Sequence, residues 1–155
     1  MSLKSIKMDS LKIIFFIVVL IISSSFKNPD TVNKGNLKIV VNNIRNSKGQ
    51  IVFCLYNLKE NFPYSEKAMF SSFVKVNGNT AECTFMNIEM GTYAVSVFHD
   101  EDNNRQINSN FIGIPKEGVG ASNNAKGHMG PPKYEDAKFD FNMSEQIIKI
   151  TLTYL

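Results

Sequence analysis

Oxygen-bearing side chains alternate along a polar run that follows the most strand-like apolar segment of the chain. They are Asp100, Asp102, Asn104, Gln106 and Asn108. On the template of an acyclic calcium loop these residues take the first, third, fifth, seventh and ninth positions, and Ile107 takes the apolar eighth. Calcium prefers several hard oxygen ligands, and alternate residues of a tight loop can turn toward one centre. The pattern therefore predicts a candidate calcium site within residues 100–108.

Two positions of this loop depart from the calcium template. Arg105 stands where a glycine makes the sharp turn, and Phe111 stands where a glutamate closes the coordination shell with both oxygens. Glu117 or Asp136 could supply closing oxygens from elsewhere in the chain. The alternative is a solvated loop rich in Asp and Asn, because these side chains also bond to the local backbone. Both interpretations stay open, with calcium as the candidate cofactor.

Further polar residues of the same stretch are candidates for bracing the loop or contacting a ligand. They are His99, Glu117, Ser122, Asn123 and His128. His99 ends an apolar segment, so we expect its imidazole to be a buried, hydrogen-bonded brace rather than a metal ligand or catalyst. A zinc site made of His99, Asp100 and His128 is conceivable, but the spacing does not support it. A hydrolase that uses His99 and Asp100 is the alternative from another functional class, and it would need an exposed pocket.

Residues 93–100 form the segment that must position this loop. Both alternating sets of side chains in it are largely apolar, which is typical of a strand covered on both faces. The polar run follows directly, and loops held by a rigid strand are a usual place for binding groups. Residues 100–135 are therefore predicted to form one long functional loop at the end of a central strand.

Alternating apolar residues and intervening turn residues predict the other strands. The seven predicted strands cover residues 37–42, 51–56, 70–76, 80–88, 93–100, 137–143 and 148–154. The turn residues 46–49 predict a hairpin between the first two strands. Asn77-Gly78-Asn79 predicts another between the third and fourth, because Asn and Gly accept the positive φ of tight turns. The pattern, which lacks a useful helical period, predicts an all-β fold, an antiparallel β-sandwich.

The N-terminal residues have the layout of a secretory signal. Lysines precede the apolar run 13–22 and serines follow it, so we predict a signal peptide over 1–25, a flexible lead over 26–34 and a sandwich domain over 35–155. The run is shorter than the roughly 20 residues that span a bilayer, although an uncleaved anchor over 11–26 is the alternative. We expect an exported protein, periplasmic or secreted, that meets a membrane only through this segment if it is not removed.

Length and charge limit the classes of function. The chain has 155 residues, 43% of them hydrophobic, which suits one domain with a real core. Its formal net charge of +3 includes a net +2 from the predicted signal peptide, which leaves +1 on the rest. Nucleic-acid binding depends on clustered Lys and Arg that neutralise phosphates, so we expect no nucleic-acid partner.

Two cysteines, Cys54 and Cys83, fall on different predicted strands. In an exported protein a disulfide between them could persist, and it would stabilise the fold by about 3 kcal/mol if unstrained. The alternative is a pair of buried free thiols, which cysteine tolerates as a small apolar residue. The sequence leaves both open.

Several short motifs combine along the chain. They are GTYAVSVFHDEDNNRQIN over 91–108, GIPKEG over 113–118, GASNN over 120–124 and GPP over 130–132. Together they resemble the exported bacterial family catalogued as domain of unknown function 2141, from about Gly35 to Tyr154. That family reads His-Asp-Glu-Asn-Gly-Asn-Gly at the loop, so Asp102 replaces an Asn here, and Asn103 and Arg105 replace glycines. The resemblance implies a secreted or periplasmic β-sandwich with no assigned activity, immunoglobulin-like or transthyretin-like by analogy of fold.

The leading functional expectation is an exported, non-enzymatic module that binds or interacts through residues 100–135, with calcium as a possible ordering ion. The polar and Gly-rich variety is concentrated there, while the strands resemble plain scaffold. The expected partner is an unknown envelope protein or an extracellular ligand. The alternatives are the hydrolase described above and a structural accessory subunit of an envelope assembly.

Overall fold

Eight strands and one short helix form the fold of residues 33–155, the part of the chain that the computed structural model describes. The strands are β1 Lys34–Asn42, β2 Gln50–Tyr56, β3 Phe70–Lys75, β4 Ala81–Glu89, β5 Gly91–Asp100, β6 Val119–Ala121, β7 Phe139–Phe141 and β8 Glu145–Thr151, and the helix is α1 Tyr134–Ala137. The predicted all-β sandwich is confirmed. β6 is additional, and it lies inside the segment predicted to be one loop.

The strands are divided between two sheets. One sheet has the order β4-β1-β8, and the other has the order β3-β2-β5-β6, with β7 also paired to β5. Alternate residues of β1, among them Leu37, Ile39 and Val41, are fully buried and pack against the inward side chains of β2 and β5. This alternation is what two packed sheets require, because successive side chains of a strand point to opposite faces.

The sheet that carries β5 is covered on its outer face as well. Val52, Cys54, Tyr56, Ala94 and Phe98 lie on that face and form a second apolar cluster with residues of the 57–69 connection, β6 and α1. β5 is therefore buried on both sides, as its sequence predicted. The strand that ends at the candidate site is therefore packed on both faces.

The pairing of strands differs from the predicted hairpins. β1 and β2 lie in different sheets, and so do β3 and β4, so neither predicted hairpin forms. Instead β2 pairs with β3 through residues 57–69, and β5 pairs with β6 through residues 101–118. Turn residues fix where the chain reverses, but a strand with an apolar inner face can equally well continue into the opposite sheet. One pair also departs from the antiparallel prediction, because β1 and β8 run parallel.

The two cysteines are free thiols. Cys54 points to the outer face of its sheet, where it packs with the second apolar cluster. Cys83 lies on β4 of the other sheet and packs against the core between the sheets. The predicted disulfide alternative is therefore wrong in this structure, because Cys54 faces away from the sheet that holds Cys83. The sequence did not reveal which face of its sheet Cys54 would take.

The predicted signal peptide over 1–25 and most of the predicted flexible lead lie outside the described residues. Within the residues that are described, no helix combines the length and apolar character needed to cross a membrane.

Candidate functional site

The segment after β5 is two structures rather than one long loop. Residues 100–117 form a polar loop beyond the end of β5. Residues 119–121 then return as β6 alongside β5, a 3₁₀ turn follows over Ser122–Asn124, and α1 lies further on. The prediction of a single loop over 100–135 is corrected accordingly, because its second half is packed onto the sheet.

Asp100 is the anchor of the loop. It ends β5 opposite Gln50 of β2, and it is completely buried. Its carboxylate accepts hydrogen bonds from the backbone N–H of Asn104 and of Arg105, both at 3.0 Å, and from Nε2 of Gln50 at 2.7 Å. Gly49 allows the Asp100 backbone to pack closely against it, because a Cβ on Gly49 would lie 1.9 Å from the Asp100 carbonyl oxygen. The carboxylate thus closes the loop on itself.

Glu117 brings a second buried carboxylate to the same place. Only 4% of Glu117 is exposed, and its two oxygens accept from the backbone N–H of Glu101 at 2.9 Å and of Asn108 at 2.8 Å. Asp102 is exposed and completes the group, since one ligand oxygen from each of Asp100, Asp102 and Glu117 lies within 4.8 Å of the others. Glu117 thus contributes the carboxylate that the calcium template lacked at its closing position.

The remaining predicted ligands have other roles. Asn104 Nδ2 donates to Asp102 and to Asn108, while its Oδ1 accepts from the Gln106 N–H at 2.7 Å. Asn108 Nδ2 donates to Asp102 at 2.8 Å. Gln106 is exposed and takes part here through its backbone. Of the five residues in the calcium pattern, the structure brings two carboxylates together and uses the two asparagines to orient them.

Asn103 and Arg105 make the turn in the left-handed region, each with φ of 62°. These are the two positions at which the related pattern has glycine. Asparagine tolerates this conformation, but for most non-glycine residues it costs about 1–2 kcal/mol. The Arg105 guanidinium offsets part of that cost, because its Cζ lies 5.0 Å from the centroid of the Phe73 ring on β3. The tight turn therefore forms without glycine.

Some acidic side chains of the loop have a cationic partner among the described residues and others have none. Glu101 pairs with Arg45 and accepts from Asn46 Nδ2 at 3.0 Å. Burial alone would raise the pKa of Glu101, but hydrogen bonds from Asn46 and Arg45 and the charge of Arg45 hold it below its usual value. A hydrogen bond from Asn108 is the largest cause of the lowered pKa of Asp102. Asp100 and Glu117, by contrast, form no ion pair with any residue of 33–155.

An open cleft of about 400 Å³ lies beside the carboxylates. Its lining includes Arg45, Glu101, Asp102, Asn108, Lys116 and Glu117. Arg45 is held across it by a hydrogen bond from Nη2 to the Lys116 carbonyl at 3.1 Å. Solvent and small ligands can therefore reach the exposed side of the carboxylate group.

His99 supports the loop from its buried side, at the end of β5. It is completely buried, its Nε2 lies 2.7 Å from the Lys48 carbonyl oxygen, and its Nδ1 lies 2.9 Å from the Tyr154 hydroxyl. A carbonyl only accepts, so Nε2 carries a proton and donates it to the Lys48 carbonyl. Both ring nitrogens thus have hydrogen-bond partners, as expected for a brace. Neither is free for a metal or a substrate.

Ser122 and Asn123 brace the second half of the segment. The buried Ser122 hydroxyl accepts from the Val95 N–H at 2.9 Å and donates to the Ala137 carbonyl. Asn123 Nδ2 donates to the carbonyls of Asp136 and Lys138 at 3.2 and 2.8 Å. His128 lies in the exposed stretch that follows, outside the carboxylate group. Asp136 lies on α1, and its exposed carboxylate is outside the group as well.

Sequence reasoning missed two supports of this site. Gln50 reaches Asp100 only because β2 pairs with β5, and Arg45 reaches Glu101 only because the chain crosses between the sheets after β1. Neither residue has a local sequence signal. A correct strand pairing would have placed Gln50 opposite Asp100.

A family model described as an uncharacterized protein conserved in bacteria (DUF2141) matches residues 39–149. The chain belongs to this family. The DUF2141 match runs from the middle of β1 into β8, so it contains the whole carboxylate loop and every strand that supports it. No curated protein and no solved structure matches the chain.

Proposed function

We propose that this DUF2141 protein is an exported, non-enzymatic module that binds calcium through Asp100, Asp102 and Glu117. The observation that carries the proposal is the convergence of these carboxylates, two of them buried without a counter-charge from residues 33–155. Buried carboxylates are normally paired, protonated or bound to a metal. A divalent cation would supply the missing charge at the point where the three meet.

The hydrogen bonds of the loop leave room for an ion. A carboxylate has about four lone-pair sites. Asp100 and Asp102 each accept three hydrogen bonds, and Glu117 accepts two. Each residue therefore keeps at least one lone pair for a cation, while the bonds already made hold the carboxylates in position.

The all-oxygen donor set favours calcium over zinc. Calcium takes six to eight oxygen ligands in flexible geometry, and water entering from the open cleft could complete its shell. Zinc prefers nitrogen and sulfur donors. His99, the nearest candidate nitrogen donor in the predicted set, already uses both ring nitrogens.

The buried imidazole also argues against the hydrolase alternative. Acid–base catalysis needs a proton-transfer group within hydrogen-bond reach of a substrate. His99 is completely buried beneath the loop, and both of its ring nitrogens already have hydrogen-bond partners.

Export rests on the signal pattern of the N-terminal residues, and an envelope protein or extracellular ligand stays the predicted partner.

Calorimetric titration and thermal melting with calcium, with magnesium and with chelator test the proposal. We expect calcium to release or absorb heat on binding and to raise the melting temperature, because it binds the folded chain. Glu117→Gln should weaken calcium binding at least about tenfold, since it removes one of the three charged ligands.

Asp136→Asn is the matched control, because its exposed carboxylate lies outside the group and its loss changes the net charge equally. That variant should bind calcium like the parent protein. An unchanged melting temperature together with no binding heat in the parent protein would refute the calcium proposal.

A further inference from the structure

Asn77 and Gly78 form a motif that does not take the hairpin role predicted for it. β3 and β4 lie in different sheets, and residues 76–80 carry the chain from one sheet to the other. Asn77 is the only asparagine of the sequence that a glycine follows. Asparagine is a thermolabile residue, and a following glycine makes it most prone to lose its side-chain amide in water. The surroundings of this pair therefore decide whether it is a modification site.

Loss of the amide is an intramolecular reaction of the pair. The Gly78 backbone nitrogen forms a bond to the side-chain carbonyl carbon of Asn77, and the bond from that carbon to the amide nitrogen breaks. The amide nitrogen leaves as ammonia with the proton that Gly78 gives up, and a five-membered succinimide ring remains. Water then opens the ring at either carbonyl, which gives aspartate or isoaspartate. One water is consumed and one ammonia released, and proximity within the chain supplies the rate.

The folded chain leaves the attacking nitrogen of Gly78 unobstructed. The Gly78 N–H donates no hydrogen bond to any residue of 33–155, so it can give up its proton to water. Asn77 and Gly78 are both exposed. A Cβ built on Gly78 would meet no atom within 4 Å, so there is open space around the position. Because glycine itself has no Cβ, nothing of its own crowds the nitrogen either.

The side-chain amide of Asn77 is equally accessible, in contrast to other asparagines. It has no hydrogen-bond partner among the described residues, whereas Asn43 Nδ2 donates to the Leu152 carbonyl at 2.7 Å. Asn79 in the same turn is exposed as well, but the β-branched Thr80 follows it. A branched side chain next to the attacking nitrogen hinders ring closure. Asn77 therefore combines a reactive neighbour with a free amide.

We propose that Asn77 deamidates spontaneously in the folded protein, before any other asparagine of the chain. Aspartate and isoaspartate both add one negative charge, and isoaspartate also adds one carbon to the backbone between β3 and β4. The Asn79 carbonyl in this connection accepts from the N–H of the buried Ile44 at 3.1 Å. The longer backbone of isoaspartate displaces that carbonyl, so this product should weaken the bond to Ile44, and aspartate should not.

The experiment incubates the full chain in mildly alkaline buffer, folded and, in parallel, unfolded in urea. Peptide mass spectrometry locates each asparagine whose amide has become a carboxylate. An isoaspartate-specific methyltransferase measures the rearranged product. Asn77→Gln is the matched variant, because glutamine keeps an exposed amide but must close a six-membered ring, which is slower. Asn79 is the internal control from the same turn.

We expect the folded chain to lose the Asn77 amide first, at a rate comparable with that of the unfolded chain, because no hydrogen bond or burial protects the pair. Asn77→Gln should abolish the early mass change and the isoaspartate signal. A folded rate several-fold below the unfolded rate would overturn the proposal, because it would show that the fold keeps the Gly78 nitrogen away from the amide carbon. Earlier loss at Asn79, or at any other asparagine, would overturn it too.

Thermal melting separates the two products. Protein that has accumulated isoaspartate at Asn77 should melt at a lower temperature than fresh protein. Asn77→Asp carries the same added charge on a backbone of normal length, so it should melt like fresh protein. Equal melting temperatures of the isoaspartate form and the fresh protein would refute the predicted effect on the bond to Ile44.

Discussion

The two halves of the segment after β5 use similar polar residues in opposite ways. In residues 118–137, side chains bond to other elements: Ser122 reaches β5 and the end of α1, and Asn124 accepts from Thr151 of β8. In residues 100–117, Asp102 and Glu117 bond to the loop itself and keep unused lone pairs. The first pattern holds a scaffold together, and the second leaves lone pairs for the proposed calcium ion.

The comparison shows why a count of polar residues alone could not locate the site. Serine and asparagine can donate as well as accept, so they can satisfy both N–H and carbonyl groups of neighbouring strands. Carboxylates only accept, so a group of three in one loop has surplus negative charge and surplus lone pairs. The surplus is what makes residues 100–117 the candidate site.

The largest effect on stability is expected in the second half. Ser122→Ala should lower the free energy of unfolding by about 1–3 kcal/mol, because the Val95 N–H and the Ala137 carbonyl lose a buried partner. Urea denaturation measures this loss. The calcium affinity of the variant should equal that of the parent protein.

Ser109→Ala is the matched control from the first half, because Ser109 is exposed. Its free energy of unfolding should change by less than about 0.5 kcal/mol. Equal losses for the two serine variants, or a weaker calcium affinity in Ser122→Ala, would break the distinction between scaffold and site.

An effect on pH dependence is expected in the first half. The hydrogen bond from Asn108 lowers the pKa of Asp102, so this ligand stays charged below the ordinary pKa of aspartate and loses its charge only as the pH falls through the lowered value. Asn108→Ala removes the bond and raises the pKa of Asp102. The pH at which calcium binding is half lost should therefore move upward, as measured by titration over about pH 3 to 6.

Gln106→Ala controls for the loss of an amide from the same loop, since Gln106 is exposed and takes part through its backbone. It should leave the pH midpoint in place. A drop in affinity for Asn108→Ala that is equal at every pH would show that the asparagine does not act through Asp102.

The smallest effect concerns the left-handed turn. Arg105→Gly should raise the free energy of unfolding by about 0.5 kcal/mol, because relief of the positive φ slightly outweighs the lost contact with Phe73. Thermal or urea unfolding measures the change. Gln106→Gly, next in the chain, should lower stability instead, because that position gains only unfolded-state freedom. A loss of stability in Arg105→Gly would mean that the stacked guanidinium dominates.

Some of this organisation was readable from residues in sequence. The double-sided apolar pattern of β5 predicted a central strand, and the oxygen pattern after it located Asp100 and Asp102. Glu117 was one of two distant candidates for the closing carboxylate, and the structure brings it to the group while Asp136 lies elsewhere. Local pattern was sufficient wherever the relevant neighbours are close in sequence.

Other features depend on pairing between distant strands, which local pattern does not determine. The turns at 46–49 and 77–79 signal reversals, but only the competition between two apolar sheets decides that the chain changes sheet there. β6 is three residues long, and its Gly120 gives no strand signal. Phe111 was considered only as the residue that stands where the calcium template has a glutamate, because its almost complete exposure cannot be read from a sequence.

The parallel pairing of β1 with β8 has a consequence for how the carboxylate loop is supported. Val40 pairs with Lys149 across most of the described chain, and just beyond β8 Leu152 and Tyr154 anchor Asn43 and His99. Contacts this far apart in sequence slow folding, because the entropy of closing the loop between them must be paid before they form. The contact between the His99 imidazole and the Tyr154 hydroxyl therefore depends on residues beyond β8. A protease that removed those residues would take away a support of the carboxylate loop without cutting the loop itself.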